Sequence, residues 1–148
     1  MYFQVHQPHR LRQYRFFDIG KDSHYYDEFA NKTILRRVSD SCYLPANKVI
    51  HDIIEESKGA FKIAFSLSGS VIDQFEKYAP EVIDSFKKLA ETNCVEFLAE
   101  TYNHSLASLA SPAEFKAQVM LHSKKIESLF GKKPVVFRNT ELIYSDEI

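Results

Sequence analysis

The 148-residue chain is poor in cysteine, with only Cys42 and Cys94. Two thiols so far apart form no CxxC pair and no zinc-ligand spacing, which removes the disulfide-stapled and zinc-finger classes. Both are expected to be buried, reduced thiols. A surplus of positive charge is also missing: Lys and Arg number 19, Asp and Glu 20, for a net charge of −1. That balance lacks the electrostatic footprint of a nucleic-acid binder. No apolar run approaches the roughly 18 residues a membrane-spanning helix needs. Glycine is scarce, at four residues, and neither GxGxxG nor GxxxxGK occurs, so no phosphate-cradling loop is expected. No serine sits in a nucleophile-elbow context. There are no repeats, no low-complexity segments and no secretory leader before the first strand-like run, so a cytoplasmic location is expected.

What is present is an ordinary globular balance, 45% hydrophobic and 26% charged, in a chain long enough to bury a core. Four short runs read as buried parallel strands: Tyr2 to His6, Phe61 to Leu67, Val95 to Ala99, and Val135 to Phe137. Helical stretches separate them. From Ser41 to Glu56, apolar Leu44, Val49, Ile50, Ile53 and Ile54 share one face. Ser70 to Tyr78 turns Val71, Ile72 and Phe75 inward. Pro80 opens a helix that carries Val82, Ile83, Phe86 and Leu89. Ser111-Pro112-Ala113-Glu114 is an N-cap, a proline at N1 and an acidic N3, and that helix runs to about Phe130 and stops at Gly131. Asp146 and Glu147 are expected to start a further helix.

The order β-α-β-α-β-α-β implies a parallel sheet with right-handed crossovers, either doubly wound or part of a (β/α) barrel. In both architectures working residues lie beyond the C-terminal ends of the strands. The polar residues obey that rule. His6, Gln7 and His9 follow the first strand, and Ser66, Ser68 and Gly69 mark the end of the second. Glu100, Tyr102, Asn103 and His104 follow the third, and Arg138, Asn139, Thr140 and Glu141 the fourth. The opposite rim carries Lys58, Asn93, Lys132 and Lys133. The loop from Gln7 to His24 is long and, with the two tyrosines just beyond it, holds Tyr14, Phe16, Phe17, Tyr25 and Tyr26 among Arg10, Arg12 and Arg15. Loops of that length are usually functional. It reads either as a lid on which sugar rings stack or as a loop pinned by its own aromatics. His24, His51 and His122 are expected on the surface.

Phe3-Gln4-Val5-His6-Gln7-Pro8 resembles the HQP motif of glycoside hydrolase family 57, and Arg12 to Gly20 resembles its continuation in one branch of that family. Val95 to His104 is similar to the second motif of the family, and Phe137-Arg138-Asn139-Thr140-Glu141-Leu142-Ile143-Tyr144 to the third. The resemblance covers the whole chain in the right order. It implies the N-terminal portion of an incomplete (β/α)7 barrel, with about four parallel strands, as a single partial domain over 1–148. It implies action on α-glucans or maltooligosaccharides with retention, by hydrolysis or glucan transfer, and with no cofactor or metal. Glu141 would be the nucleophile, and His6, Gln7, Glu100, His104 and Arg138 would contact substrate. The general acid of the family is an aspartate in a later motif, which would lie beyond Ile148, so the 148 residues alone are expected to be inactive and prone to self-association along open strand edges. Two alternatives remain open: a non-catalytic carbohydrate-binding fragment, and a metal-dependent polysaccharide deacetylase. The deacetylase pattern lacks its aspartate after the first strand and its HxxxH spacing here.

Overall fold

A computed structural model describes residues 1–146 and 148. Three strands form one parallel sheet in the order β1-β2-β3: β1 (Tyr2–Val5), β2 (Ile63–Leu67) and β3 (Val95–Phe97). Their register pairs Phe3 with Phe65 and Phe65 with Phe97. Side chains alternate across a strand, so the three phenylalanines share one face. Phe130, from the last helix, extends the row by stacking on Phe97 with centroids 4.3 Å apart. Phe86 meets Phe65 edge-on at 5.2 Å. Fully burying each such ring is worth roughly 1.5–3 kcal/mol.

The fourth expected strand is reduced to one bridge. Phe137 pairs in parallel with Ala99, through Ala99 N to Val136 O (2.8 Å) and Arg138 N to Ala99 O (2.9 Å). Val135 is 83% exposed.

Five helices cover the phenylalanine face: α1 (Glu28–Val38), α2 (Leu44–Glu56), α3 (Gly69–Tyr78), α4 (Pro80–Glu91) and α5 (Pro112–Phe130). Val71, Ile72, Phe75, Val82, Ile83, Phe86 and Leu89 are buried as their periodicity requires. On α2 the buried stripe is narrower than expected: Ile50 and Ile54 are inside, whereas Val49 and Ile53 are exposed. No element is expected from the sequence at α1, which Asp27 caps at Ala30 N (2.8 Å). It runs into α2 through a π-helical turn, Ser39–Tyr43. α5 begins and ends as its cap residues dictate: the Ser111 hydroxyl accepts from Glu114 N, and Gly131 closes it with φ 66°. The expected helix start at Asp146 and Glu147 falls partly outside the described residues.

Three expectations about exposure are corrected. Cys42 is exposed on the π-helical turn before α2, and Cys94, just before β3, is half-buried. His122 is fully buried, because it shares an i, i+4 stripe with Gln118, Ile126 and Phe130 on the inner face of α5. In the first loop, Leu11 bridges antiparallel to Tyr26, and Arg12 binds both carboxylate oxygens of Asp22 (2.7 and 2.8 Å). Tyr14 and Tyr25 pack on each other at 5.1 Å, while Phe16 and Phe17 stay exposed at the tip.

A close approach beside β2 constrains one residue. A Cβ added to Gly69 would run into the ring of Tyr102, whose hydroxyl donates to Asp73 (2.7 Å). Gly69→Ala is expected to push the ring aside and destabilise the chain by about 1–3 kcal/mol, read as a lowered urea midpoint. An unchanged midpoint would mean that the ring is free to move.

Candidate active site

The face opposite the helices is polar because of the same alternation. Tyr2, Gln4 and His6 lie on it from β1, Ser66 and Ser68 from β2, and Glu100 from β3. The Gln4 amide lies 3.3 Å from both ring nitrogens of His104. The Arg138 guanidinium sits 5.5 Å from the centroid of the Tyr2 ring, reaching across two intervening strands.

A continuous chain of contacts runs through the C-terminal ends of the strands. Glu100 is fully buried. Its Oε1 accepts from Ser66 Oγ (2.9 Å) and its Oε2 from His104 Nδ1 (3.1 Å). A carboxylate removed from water needs such donors. With Nδ1 committed to Glu100, Nε2 of His104 faces outward, 3.4 Å from Glu141 Oε1. The His104 ring stacks on that of His6, with centroids 4.4 Å apart. His6 Nδ1 is 2.7 Å from Ser68 Oγ. That hydroxyl also accepts from Val71 N at the start of α3, and His6 Nε2 is the ring nitrogen left without a partner among the described residues.

Glu141 ends this chain and is the exposed member, at 72% of its side-chain surface. It is held in a left-handed backbone conformation, φ 54° and ψ 22°, just after buried Asn139 and Thr140. Thr140 Oγ1 meets Thr101 Oγ1 at 2.9 Å, and Asn139 caps the turn, accepting from Thr140 N (2.9 Å) and donating to Ile143 O (2.9 Å). His104 also has positive φ, 52°. Neither residue is a glycine, so each conformation costs of the order of 1–3 kcal/mol and persists only where surrounding bonds impose it.

The residues singled out from the sequence therefore divide. His6, Glu100, His104 and Glu141 come together. Gln7 turns away: its Nε2 donates to Tyr43 Oη (3.1 Å), and its Oε1 accepts from Arg10 Nη2 (3.1 Å). Arg138 does not pair with Glu141; its Nε and Nη1 are buried and meet no acceptor among the described residues. Glu100 reaches no solvent and so acts on His104 rather than on a ligand in this state. Tyr2, Gln4, Ser66 and Ser68 join the polar face without having been picked out as ligands, although Tyr2 and Gln4 precede His6 at the two-residue spacing of one strand face. Among the described residues no three His, Cys, Asp or Glu side chains are grouped as a metal ion would require.

Burial, reinforced by the neighbouring His104, lowers the His6 pKa from its ordinary 6.5 to about 4. His6 is thus a neutral imidazole near pH 7. Because the folded value lies below the unfolded one, stability associated with His6 is complete above about pH 6.5 and is lost as the pH falls towards 4. An NMR titration is expected to place the His6 midpoint near 4 and the urea midpoint to fall across that window. A His6 midpoint near 6.5 would contradict this packing.

The whole chain, residues 1–148, matches the sequence profile of Glycosyl hydrolase family 57. A Methanocaldococcus jannaschii protein named "Putative alpha-amylase" is 40% identical over 152 residues, which cover 99% of this chain and 31% of that protein. The chain thus spans under a third of the length of this curated relative. Three solved structures share the fold. A 4-α-glucanotransferase from Thermococcus litoralis has a TM-score of 0.70 at 16% identity, over 99% of this chain and 19% of that one. An α-amylase from Thermotoga maritima has 0.63 at 15%, over 97% and 35%. A branching enzyme from Thermococcus kodakaraensis has 0.63 at 13%, over 95% and 32%. The likeness to these structures is one of fold alone, whereas the profile match and the 40% identity each run the length of the sequence, so the chain belongs to glycosyl hydrolase family 57.

Proposed function

We propose that this chain is the N-terminal part of an α-glucan-active catalytic barrel that works with retention, and that Glu141 is its nucleophile. The observation that carries the reading is the presentation of Glu141. It is an exposed carboxylate on a left-handed residue at the end of a bridged segment, 3.4 Å from a histidine held from behind by a buried glutamate. In a retaining mechanism such a carboxylate attacks the anomeric carbon while a second carboxyl group about 5–5.5 Å away protonates the leaving oxygen. The glycosyl-enzyme then passes to water or to another sugar hydroxyl. Glu100 is too deeply buried to be that second group. In this reading the acid comes from a later strand of the barrel, as it does in the family resemblance.

The other residues take supporting roles. Neutral His6 presents Nε2, as donor or acceptor, to a sugar hydroxyl. His104 stands between Glu100 and Glu141 at the mouth of the polar face. Arg138, with two unmatched donors, can bond ligand oxygens once a glucan lies over the polar face. Gln7 shapes the first turn through Tyr43 and Arg10, and any contact of its own with substrate requires it to leave them. The barrel reading also accounts for two open edges, at β1 and at the Phe137 segment, where Tyr2, Phe3, Val135 and Val136 are exposed.

The test uses the longest polypeptide that carries this sequence, assayed on maltooligosaccharides. Glu141→Ala is expected to lower kcat by about 10⁴-fold or more, the scale on which a catalytic nucleophile is missed. Added azide should restore part of it as a glycosyl azide of inverted configuration. Normal turnover by Glu141→Ala would remove the assignment, and sugar binding by an inactive wild type would favour a binding module. A second variant, Glu100→Gln, is expected to keep the fold and to lower kcat by about 10- to 100-fold through the loosened His104. An unchanged kcat would show that Glu100 serves the fold only.

A further inference from the structure

The parallel ladder between β2 and β3 has regular rungs. Ile63 N donates to Cys94 O (3.0 Å), and Leu98 N donates to Phe65 O (2.8 Å). The register Ile63 to Val95 and Phe65 to Phe97 makes the next rung Glu100 N to Leu67 O. In its place stands the imidazole of His122. Its Nε2 is 2.7 Å from Leu67 O, and its Nδ1 is 3.3 Å from Glu100 N. A carbonyl only accepts and an amide N–H only donates. Nε2 therefore carries the proton, Nδ1 is bare, and the ring is neutral. Its burial is complete, which lowers its pKa and so favours that neutral form.

We infer that His122 is a spacer built into the sheet, a positioning residue that holds the ends of β2 and β3 one imidazole apart and so sets where Glu100 aims His104. The catalytic consequence rests on the site reading proposed above for Glu141, whereas the geometry does not. A direct rung would join Leu67 and Glu100 by a single hydrogen bond. Two bonds and a ring in its place splay the strands where the chain must leave β3 towards Ala99, which pairs outward with Phe137, and towards Glu100, whose carboxylate reaches Ser66 and His104. His122 touches neither Glu141 nor the open face; it acts through the Glu100 backbone. Its site on α5 also couples that helix to the polar end of the sheet.

Two substitutions separate a spacer from mere core filling. Leucine fills similar space but bonds nothing, so the strands can close onto the direct rung. Glutamine supplies one acceptor and one donor on neighbouring atoms and can occupy both positions. His122→Leu is expected to change the imidazole ¹⁵N shifts of His104 and to slow amide exchange at Glu100. In the longest polypeptide carrying the sequence it should lower kcat by about 10- to 100-fold with a smaller change in KM, and His122→Gln should restore both signals and turnover. Should the leucine variant fail to fold, the wild-type chain still decides the matter, because ¹⁵N shifts at about pH 7 must show His122 as a single neutral Nε2–H tautomer. A charged or Nδ1–H His122 at that pH would overturn the inference. So would a folded His122→Leu with unaltered His104 signals and kcat, or a folded His122→Gln that recovers neither. Normal turnover by Glu141→Ala would instead remove the nucleophile assignment and leave the NMR result standing.

Discussion

Everything in the polar face depends on the unshifted parallel register that sets Phe3 beside Phe65 beside Phe97. Phe65 and Phe97, with Phe130 and Phe86 around them, supply the apolar burial that holds the sheet against its helices, while Phe3 stays partly exposed at the β1 edge. Because side chains alternate, the same register delivers Tyr2, Gln4, His6, Ser66, Ser68 and Glu100 to the opposite side. A slip of one residue would exchange the two sets, leaving charged and hydroxylic groups against α4 and α5 and phenylalanines in the site. Hydrophobic burial and site geometry are thus two faces of one constraint.

On that frame the polar residues are graded by depth. His122 lies within the plane of the sheet and Glu100 just above it, both out of solvent. His104 and His6 form the half-buried layer, and Glu141 stands in the open. The deeper groups fix the next ones outward: His122 holds the Glu100 main chain and Glu100 holds Nδ1 of His104, while Glu141 lies beside Nε2 of His104. The two left-handed residues, His104 and Glu141, are in the outer part of this relay. Their backbone strain is opposed by bonds of the inner part and by the Thr101–Thr140 and Asn139 contacts. Strain of this kind is typical of groups kept in position for chemistry.

The division of the long first loop follows the same logic. Tyr14 and Tyr25 find each other, and the Arg12–Asp22 pair ties the two limbs together, so the base of the loop is ordered by its own contacts. Phe16 and Phe17 have no core within reach and remain in solvent at the tip. The two readings of the loop, pinned or presenting, each describe a different half of it.

Several features were legible in the sequence because they rest on local physics. The strand cores announced themselves by short β-branched and aromatic runs. Ser111-Pro112 and Gly131 marked α5 through the needs of its unpaired N–H and C=O groups. The clustering of polar residues after strands follows from where crossovers begin, and the HQP, Val95–His104 and Phe137–Tyr144 segments together pointed to the family. Other features were decided only by tertiary contact. The fourth strand shrank to the Ala99–Phe137 bridge, which a short aromatic and β-branched run does not reveal. The partner of Glu141 is His104 rather than Arg138, since spatial neighbours at strand ends come from different strands. His122 resembled any helical surface histidine until α5 docked on the sheet, because only packing determines which stripe of a weakly amphipathic helix faces inward and what it finds there.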